Sequence, residues 1–265
     1  MNNNVLEIQT VQISALRTLM TALKDILLET NIFFQPDGIR IKNMDKSHSI
    51  FVHLFLEAEN FEKYFCKYPK IVIGVNMFHL FKIINTVDNN DALTIYIHEE
   101  DYNDGSVDYL CLRFENGDIK QYKTHKLRLI GPEPEEMTTP NVSYSSIITL
   151  PSSDFQKIVR DMNDINADKI EIKSVGNELI FSAKGGFSES QICRTEMNGK
   201  MDFVMKDEQK IIQGEFSLKN LSYFIKCTNL CSTIEMYLEN DIPLIIKYSV
   251  ASLGEIKLCL APTDQ

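Results

Sequence analysis

Lysine and arginine residues recur on one face of the helical segments in this sequence. In residues 14–27, Arg17, Thr21 and Lys24 follow a spacing of four and then three residues, which places them on one side of a helix. The apolar residues of the same segment fall on the opposite side. Cationic side chains arranged in this way can contact the phosphate backbone of nucleic acid without reading its bases. The pattern therefore indicates a weak, non-specific binding surface.

Residues 76–87, 152–164 and 217–228 repeat this division into an apolar and a cationic face. Their polar-side cations are Lys82, Lys157, Arg160, Lys219 and Lys226, with His79 as a further candidate. Each face alone is explained by solvation, since lysine and arginine are good helix formers. Together, in a chain of formal net charge −10, they indicate a positive surface built from helices, with the negative charge elsewhere.

Motifs typical of common catalytic sites do not occur in the sequence. There is no G-x-x-x-x-G-K-[ST] or G-x-G-x-x-G phosphate loop, no H-E-x-x-H and no G-x-S-x-G. Cys227 and Cys231 form a C-x3-C pair, but no second pair or nearby histidine completes a zinc site. We therefore predict that the protein is not an enzyme and binds no metal or cofactor.

Four helical patterns, each followed by strands with alternating hydrophobicity, indicate an α+β fold built from repeated units. Two of the strand pairs are joined by tight turns, one at Pro36-Asp37-Gly38 and one at residues 175–178. Ser14, Ser152 or Ser153, and Ser217 stand where a side-chain oxygen would cap the first, third and fourth helix. Two units lie on each side of residues 129–144.

Residues 129–144 contain three prolines and three glutamates and show no sustained period, which predicts an extended connector. We therefore predict an N-terminal domain at residues 1–128, a linker at 129–144 and a C-terminal domain at 145–265. No apolar stretch approaches the roughly 18 to 20 residues that span a bilayer, so we expect no membrane association. The scattered cysteines and the lack of a signal pattern favour a soluble protein in a reducing, intracellular compartment.

Five stretches of the chain, in this order and spacing, resemble the proliferating cell nuclear antigen family, the eukaryotic-type DNA sliding clamps. They are residues 16–25 (LRTLMTALKD), 43–48 (NMDKSH), 75–84 (VNMFHLFKII), 155–162 (FQKIVRDM) and 240–262, which begins NDIPLIIKYSV and ends LGEIKLCLAP. The resemblance implies a DNA-clamp fold with two topologically similar domains. It also implies a polymerase processivity factor, a homotrimeric ring that encircles duplex DNA, with sheets outside and helices lining the hole.

The resemblance assigns site residues as well. It places Arg17, Lys24, Lys82, Lys157, Arg160, Lys219 and Lys226 at DNA-facing positions. It also implies a hydrophobic pocket for a short partner motif, the PIP box, Q-x-x-aliphatic-x-x-aromatic-aromatic. The matching positions are Met44, His48, Phe51, Met137, Pro140, Tyr144, Pro243, Leu260, Ala261 and Pro262. An exposed apolar patch edged by polar residues can accept such an aromatic pair.

Several positions depart from the family pattern. Thr18 and Asn85 stand where lysine is often found, which reduces the expected inner charge. Ser49 and Cys259 replace larger, more apolar or aromatic residues near the expected pocket. Gly176 falls near the place of a lysine that is ubiquitinated in several members, so we do not expect that regulation. The linker is about two residues longer than the commonest version and has an added proline.

The resemblance implies partners beyond duplex DNA: a DNA polymerase, a clamp loader, and PIP-box proteins such as flap endonuclease and ligase. Subunit contacts are expected between edge strands near residues 118–127 and 188–196. The expected location is the nucleus, or a cytoplasmic replication factory if the source is a virus. Two alternatives stay open: a clamp subunit that works as a monomer or in a heterotrimer, and a protein-binding scaffold that never touches DNA.

Overall fold

The computed structural model describes residues 3–88, 91–132, 137, 142–207 and 210–263. The chain divides into two compact units. The first unit comprises Met1–Asp45, Val52–Thr138 and Val250–Ile256, and the second comprises Lys46–Phe51, Thr139–Ser249 and Lys257–Gln265. Each unit therefore includes one short segment from the opposite half of the sequence.

Two helices and the first eleven strands belong wholly or mainly to the first unit. They are α1 (Ile13–Ile26) and α2 (Met77–Ile84), and β1 (Asn4–Thr10), β2 (Glu29–Gln35), β3 (Gly38–Met44), β4 (Ile50–Glu57), β5 (Lys63–Cys66), β6 (Ile71–Asn76), β7 (Ala92–His98), β8 (Tyr102–Asn103), β9 (Ser106–Val107), β10 (Tyr109–Asn116) and β11 (Gln121–Arg128). Single 3₁₀ turns follow β4 and β7.

The strands of the first unit form antiparallel sheets with a buried face. One sheet has the order β11-β10-β7-β1-β5, so β11 and β5 are its edges. A second set has the order β4-β3-β2-β6. The predicted turn at Pro36-Asp37-Gly38 is confirmed, because Gln35 pairs with Gly38 across the β2–β3 hairpin. Gly38 has a φ of 150°, and a Cβ there would lie 2.1 Å from the Leu56 C=O oxygen, so only glycine fits.

The second unit contains two helices and the remaining strands. They are α3 (Ser152–Asp164) and α4 (Leu218–Phe224), and β12 (Ser146–Pro151), β13 (Lys169–Val175), β14 (Glu178–Lys184), β15 (Glu189–Thr195), β16 (Asp202–Met205), β17 (Ile212–Ser217), β18 (Thr233–Leu238), β19 (Leu244–Val250) and β20 (Gly254–Leu260). The first residues of β20 belong to the first unit, and the first two residues of β4 belong to the second.

The second unit repeats the sequence of a helix followed by a hairpin. Its four-stranded sheet has the order β15-β14-β13-β17, and a larger sheet contains β16-β12-β18-β19-β20. The predicted turn at residues 175–178 is confirmed by the pairing of Val175 with Glu178. Fully buried aromatic side chains, among them Phe155, Phe181 and Phe216, fill the core beneath these elements.

The cap predictions were partly wrong. Ser217 caps α4 as predicted, because its hydroxyl accepts a hydrogen bond from the Asn220 N–H. At α1 the cap position is Gln12, without a side-chain hydrogen bond, and Ser14 lies inside the first turn. At α3 the cap position is Pro151, and the hydroxyl of Ser152 instead donates to the backbone of the chain before β18. A serine near a helix start therefore caps it only where tertiary contacts leave its hydroxyl available.

The second and fourth helices are shorter than predicted. The fourth ends at Phe224 and continues as a 3₁₀ segment, Ile225–Leu230. There the Thr228 hydroxyl donates to the Ile225 C=O at 2.6 Å, and after α2 the Thr86 hydroxyl donates to the Ile83 C=O at 2.7 Å. Such bonds compete with the α-helical ladder, and threonine is a weak helix former. Among the residues that the structure describes, none of the helices combines the length and hydropathy needed to cross a bilayer.

Candidate nucleic-acid interface and partner-binding surface

In the first unit, the predicted cations lie on two helices that pack against each other, α1 and α2. Leu19 and Leu23 of α1 are buried, whereas Arg17 and Lys24 on the other side are half-buried. Lys82 of α2 is exposed. The apolar stripe predicted for α1 is therefore confirmed, and three of the predicted DNA-facing residues belong to one pair of helices.

Neighbouring groups hold the two cations of α1. The Arg17 guanidinium donates a hydrogen bond to the Val87 C=O, just beyond α2. The Lys24 Nζ lies 2.8 Å from Asp25 Oδ1 and 4.9 Å from the centroid of the Phe81 ring, and the side chain is only 19% exposed. A charge that already has a carboxylate partner contributes less to the attraction of a phosphate. Contacts within the first unit therefore neutralise part of the positive charge of α1.

Lys82 is placed differently. Its Nζ lies 4.6 Å from the centroid of the Phe78 ring, and Phe78 is itself 43% exposed. A cation above an aromatic face keeps its full charge while the ring orients the side chain. Lys82 is therefore the predicted residue of the first unit best placed to meet an anion from solvent.

In the second unit, the predicted cations are exposed. Lys157 and Arg160 project from α3, whose Phe155 and Val159 are buried. Lys219 projects from α4, and Lys226 lies on the following 3₁₀ segment with its Nζ 5.4 Å from the Tyr223 ring centroid. Within the described parts of the chain, no carboxylate forms an ion pair with Lys157, Arg160 or Lys219. These three residues therefore present unneutralised charge.

Hydrogen bonds between α3 and α4 hold these cations in one helical layer. The Asn163 side-chain amide donates to the Ser222 hydroxyl at 3.0 Å and to the Val159 C=O at 2.9 Å. The Gln156 amide donates to the Ile225 C=O at 3.2 Å. A search for charged residues does not find these positioning residues. Their spacing of seven residues along α3, which places both amides on one side of the helix, is the signal that could have found them.

The predicted partner-binding positions of the second unit lie in the segment 46–51, just before β12, just before β19 and at the C-terminal end of β20. The Ala261 N–H donates to the Ser49 C=O at 2.9 Å, which joins the first and last of these segments. The Tyr144 hydroxyl donates to the Pro243 C=O at 2.9 Å, and its ring packs edge-on against Tyr237 at 5.7 Å. Seven of the predicted residues therefore belong to two hydrogen-bonded pairs of segments in one unit.

The exposure of these positions differs. His48 and Pro243 are exposed, and the side chains of Phe51, Tyr144, Ala261 and Pro262 are half-buried. Leu260 is fully buried, so it supports the surface from beneath. Burial raises the pKa of the Cys259 thiol to about 11, so this residue is neutral and contributes apolar volume. Burial likewise raises the pKa of Tyr144, which stays protonated and keeps its hydrogen bond.

The remaining predicted partner-binding residues lie elsewhere. Met44, at the end of β3, and Met137 are half-buried residues of the first unit. Pro140 lies outside the residues that the structure describes. The start of the connector is held at Gly74 of β6, whose C=O accepts a hydrogen bond from the Ile130 N–H at 3.0 Å. A Cβ at Gly74 would lie 2.7 Å from the Ile130 carbonyl oxygen, so this close approach requires glycine.

The described residues provide no metal centre. None of their His, Cys, Asp and Glu side chains form a group of three or more that could hold an ion. Cys227 is fully buried and burial raises its pKa to about 12, which makes it an unreactive thiol. All six cysteines are free.

Family models match nearly the whole chain. "Proliferating cell nuclear antigen, N-terminal domain" matches residues 5–135, and "Proliferating cell nuclear antigen, C-terminal domain" matches residues 138–263. Similar proteins include "Probable DNA polymerase sliding clamp 1" of Paramecium bursaria Chlorella virus 1, which is 29% identical over 269 residues, with 98% of each chain covered. "Probable DNA polymerase sliding clamp" of Acanthamoeba polyphaga mimivirus is 29% identical over 299 residues, and the match covers 99% of this chain but 63% of that protein.

The fold has a solved counterpart. The crystal structure of Proliferating Cellular Nuclear Antigen from Entamoeba histolytica superimposes with a TM-score of 0.87 at 25% identity, covering 98% of this chain and 100% of that one. The predicted α+β DNA-clamp fold is therefore confirmed. With both domain models matched in order and the fold shared from end to end, the chain belongs to the proliferating cell nuclear antigen family.

Proposed function

We propose that the protein is a DNA sliding clamp, a processivity factor that forms a closed homotrimeric ring around duplex DNA. The observation that carries this proposal is the exposed charge of Lys157, Arg160 and Lys219 on the helices of a chain whose net charge is −10. The printed names of the viral relatives support it. Non-specific contacts with phosphates have dissociation constants of about 10⁻⁴ to 10⁻⁶ M, which suffice where ring closure, rather than affinity, retains the DNA.

The proposed DNA-facing set keeps all seven predicted residues but gives them unequal weight. Lys157, Arg160, Lys219, Lys226 and Lys82 are exposed and are expected to meet phosphates directly. Arg17 and Lys24 are held by neighbouring groups and are expected to contribute mainly to the background field and to the structure. Phosphate contacts and a background field carry no sequence information, so both roles favour sliding.

Two edge strands support the proposal of a ring. β11 ends the five-stranded sheet of the first unit, and β15 ends the four-stranded sheet of the second. Exposed apolar residues flank both: Tyr122 (66%) and Ile119 (63%) at β11, Phe187 (73%) and Met197 (62%) at β15. Two different edges on one chain can pair head to tail with successive copies, and such heterologous contacts form a ring when the rotation between copies closes. We propose β11 and β15 as the subunit contacts.

The surface formed by His48, Phe51, Tyr144, Pro243, Leu260, Ala261 and Pro262 is proposed to bind the PIP-box motif of partner proteins, together with Met44, Met137 and Pro140. Half-buried aromatic and proline side chains lie beside a C-terminal segment that is hydrogen-bonded to Ser49, and such a surface can bind an apolar side chain of a partner.

The proposed partners are a DNA polymerase, a clamp loader, flap endonuclease and ligase. The role is non-catalytic, and the proposed location is the nucleus or a cytoplasmic viral replication factory. Domains at 1–128 and 145–265, with a linker at 129–144, complete the proposal.

The decisive experiment compares mass and DNA topology. Sedimentation of the full chain should give a species near three times its 30.4 kDa. After loading, the protein should stay on closed circular DNA and escape from linear DNA with free ends. Equal retention on both forms would contradict encirclement, and a monomer or a mixed assembly would favour the alternative of a heterotrimeric clamp subunit.

A charge-reversal pair separates the clamp from a scaffold that never touches DNA. Lys157→Glu with Arg160→Glu should abolish retention on circular DNA while leaving the sedimenting species unchanged. The matched control is Lys67→Glu with Lys70→Glu, which makes the same change in net charge at exposed residues outside the helices and the proposed subunit contacts. If the protein were a scaffold that never touches DNA, the two double variants would not differ in retention on circular DNA.

A further inference from the structure

A groove of about 1610 Å³ runs along β17 in the second unit. Its floor is the four-stranded sheet, and its sides include Asn240 to Ile242, between β18 and β19, and the C-terminal residues Pro262 and Thr263. None of the residues proposed to face DNA lines it. It shares Pro262 with the proposed partner-binding surface, and its other lining residues lie outside both proposed surfaces.

The groove is acidic. Its lining carries five carboxylates, those of Asp168, Glu171, Glu189, Glu215 and Asp241, against two lysines, Lys169 and Lys184. Both lysines are already engaged, since Lys169 lies 2.8 Å from Glu215 and Lys184 lies 2.7 Å from Glu189. Within the described residues, Asp168 and Asp241 have no ion-pair partner. The formal excess of three negative charges excludes a nucleic acid and favours a cationic occupant.

The edge of β17 faces this groove and already binds one amide. The Asn240 side chain accepts a hydrogen bond from the Gln213 N–H at 2.8 Å and donates to the Ile211 C=O at 3.1 Å. One amide group thus occupies a donor and an acceptor two residues apart, as a neighbouring strand would. This contact shows that the outward N–H and C=O groups of β17 can hydrogen-bond to an amide.

A second donor and acceptor with the same arrangement lie two residues further along β17. Backbone groups two residues apart in a strand point to the same side, so the Gln213 C=O and the Glu215 N–H face the groove beside the Asn240 contact. The Thr263 N–H donates a hydrogen bond to the Glu215 C=O at 2.8 Å, so this acceptor of the β17 edge is already occupied. Within the described part of the chain, the Gln213 C=O and the Glu215 N–H have no partner. The N–H and C=O of one residue in an extended chain point to the same side, so one such residue can pair with both groups.

We propose that this groove binds an extended segment of a partner protein that contains lysine or arginine. The N–H and C=O of one residue of the segment pair with the Gln213 C=O and the Glu215 N–H, and cationic side chains of the segment meet Asp168, Glu171 and Asp241.

Glu171 stands beside Glu215 across the β13–β17 pair. Lys173 lies 3.7 Å from Glu171 and Lys169 lies 2.8 Å from Glu215, so a side chain on that face of the bound segment shares these two carboxylates with them. The backbone pairing does not depend on ring formation, because β17 and β15 are opposite edges of the sheet. Glu189, Ser190 and Gln191 of β15 also line the groove, on the side away from β17.

The test uses the full-length protein and a fluorescein-labelled Lys-Val-Lys-Val-Lys peptide, followed by fluorescence anisotropy. The peptide should bind, and Glu-Val-Glu-Val-Glu should not. Neutralising the groove with Glu171→Gln and Asp241→Asn should weaken binding roughly fivefold to tenfold. Methylation of the central backbone nitrogen of the peptide should weaken it by a similar factor if that N–H pairs with Gln213.

A matched control removes general attraction to an acidic protein as an explanation. Glu59→Gln with Asp108→Asn makes the same change in net charge at exposed residues of the first unit. This variant should bind the peptide within about twofold of the wild type. Equal weakening by both pairs would overturn the proposal, as would a lack of binding by the wild type.

Hydrogen exchange gives an independent measurement of the location. Addition of the lysine peptide should slow exchange of the Glu215 amide in β17, and the Gln213 amide, already bonded to Asn240, should change less. Protection confined to α3, or to the proposed partner-binding surface, would place the peptide elsewhere and contradict the assignment.

Discussion

The helical layer of the first unit and that of the second carry similar cations in different surroundings. Arg17 and Lys24 on α1 contact the Val87 carbonyl and the Asp25 carboxylate. Lys157 and Arg160 on α3 are exposed, and no described carboxylate pairs with them. The two helices therefore carry cations on the same kind of face, but only those of α3 are exposed and without a carboxylate partner among the described residues.

The cause of this difference lies in what each helix packs against. In the first unit, α2 and the residues after it bring a carbonyl group and an aromatic ring to α1, so its cations gain partners. In the second unit, uncharged amides and hydroxyls, those of Gln156, Asn163 and Ser222, join α3 to α4. Because neutral groups make these contacts, the cations nearby stay available. The comparison indicates that the second unit supplies most of the usable positive charge.

The largest expected effect is on DNA binding through the second unit. Replacing Lys157 and Arg160 by glutamine should make the negative slope of log affinity against log salt shallower by about 2. Each cation that contacts a phosphate contributes about 1 to the size of that slope. Titration of labelled duplex DNA at several salt concentrations measures this slope.

The matched variant in the first unit is Lys24→Gln. Because the Lys24 ammonium already has Asp25 as a partner, this change should lower the slope by less than about 0.5. A slope change near 1 for Lys24→Gln would remove the distinction between the two layers.

The second expected effect is on stability, and here the first unit is the sensitive one. Arg17→Ala leaves the Val87 carbonyl without its donor, which should lower the free energy of unfolding by about 1 to 3 kcal/mol. Lys157→Ala, at an exposed position, should change it by less than about 0.5 kcal/mol. Urea denaturation of both variants compares them directly, and equal losses would show that the Arg17 contact contributes nothing.

Hydrophobic periodicity predicted the helices and their buried faces because burial acts on every turn of a helix. Leu19 and Leu23 of α1, and Phe155 and Val159 of α3, are buried as the pattern requires. The turns at Gly38 and Gly176 were also predictable, since their residue types have local conformational causes. These features depend on neighbours in sequence.

Features that depend on distant neighbours could not be predicted in the same way. The partner of Arg17 is 70 residues away, and the hydroxyl of Ser152 bonds to a carbonyl 79 residues away. Nothing in the sequence around Arg17 or Ser152 encodes those contacts, so the internal hydrogen bond of Arg17 was not predicted, and a helix cap was predicted at Ser152 where the structure has a tertiary hydrogen bond. The groove along β17 was missed for the same reason, because β13, β17 and the C-terminal residues that line it are far apart in sequence.

Two carboxylates extend the comparison of the units to acid stability. In the second unit, burial raises the pKa of Glu239, but hydrogen bonds from Lys210, Ser145 and Asn240 outweigh it and lower the pKa to about 2. A carboxyl group whose pKa is lowered on folding stabilises the fold at pH values above its ordinary pKa. That contribution is lost as the pH falls from the ordinary pKa through the lowered pKa of the folded state. The loss for Glu239 should therefore occur between about pH 4.5 and about pH 2.

The measurement is the thermal midpoint between pH 5 and pH 3 for wild type and Glu239→Gln. The wild type should lose more stability over this interval, because glutamine cannot titrate. Glu7→Gln is the counterpart in the first unit, where the hydrogen bond from Lys63 lowers the pKa of Glu7. Identical pH dependence in wild type and both variants would show that neither carboxylate is coupled to folding.

The smallest expected effect concerns the helix caps. Ser217 accepts the Asn220 N–H at the start of α4, so Ser217→Ala should lower the free energy of unfolding by about 1 kcal/mol. Ser14, inside the first turn of α1, makes no cap, and Ser14→Ala should change it by less than about 0.5 kcal/mol, or raise it slightly, since alanine is the better helix former. Chemical denaturation of the two variants side by side measures the difference. A larger loss for Ser14→Ala would mean that its hydroxyl stabilises α1 through a contact other than a cap, and the helix starts of the two units would then be alike.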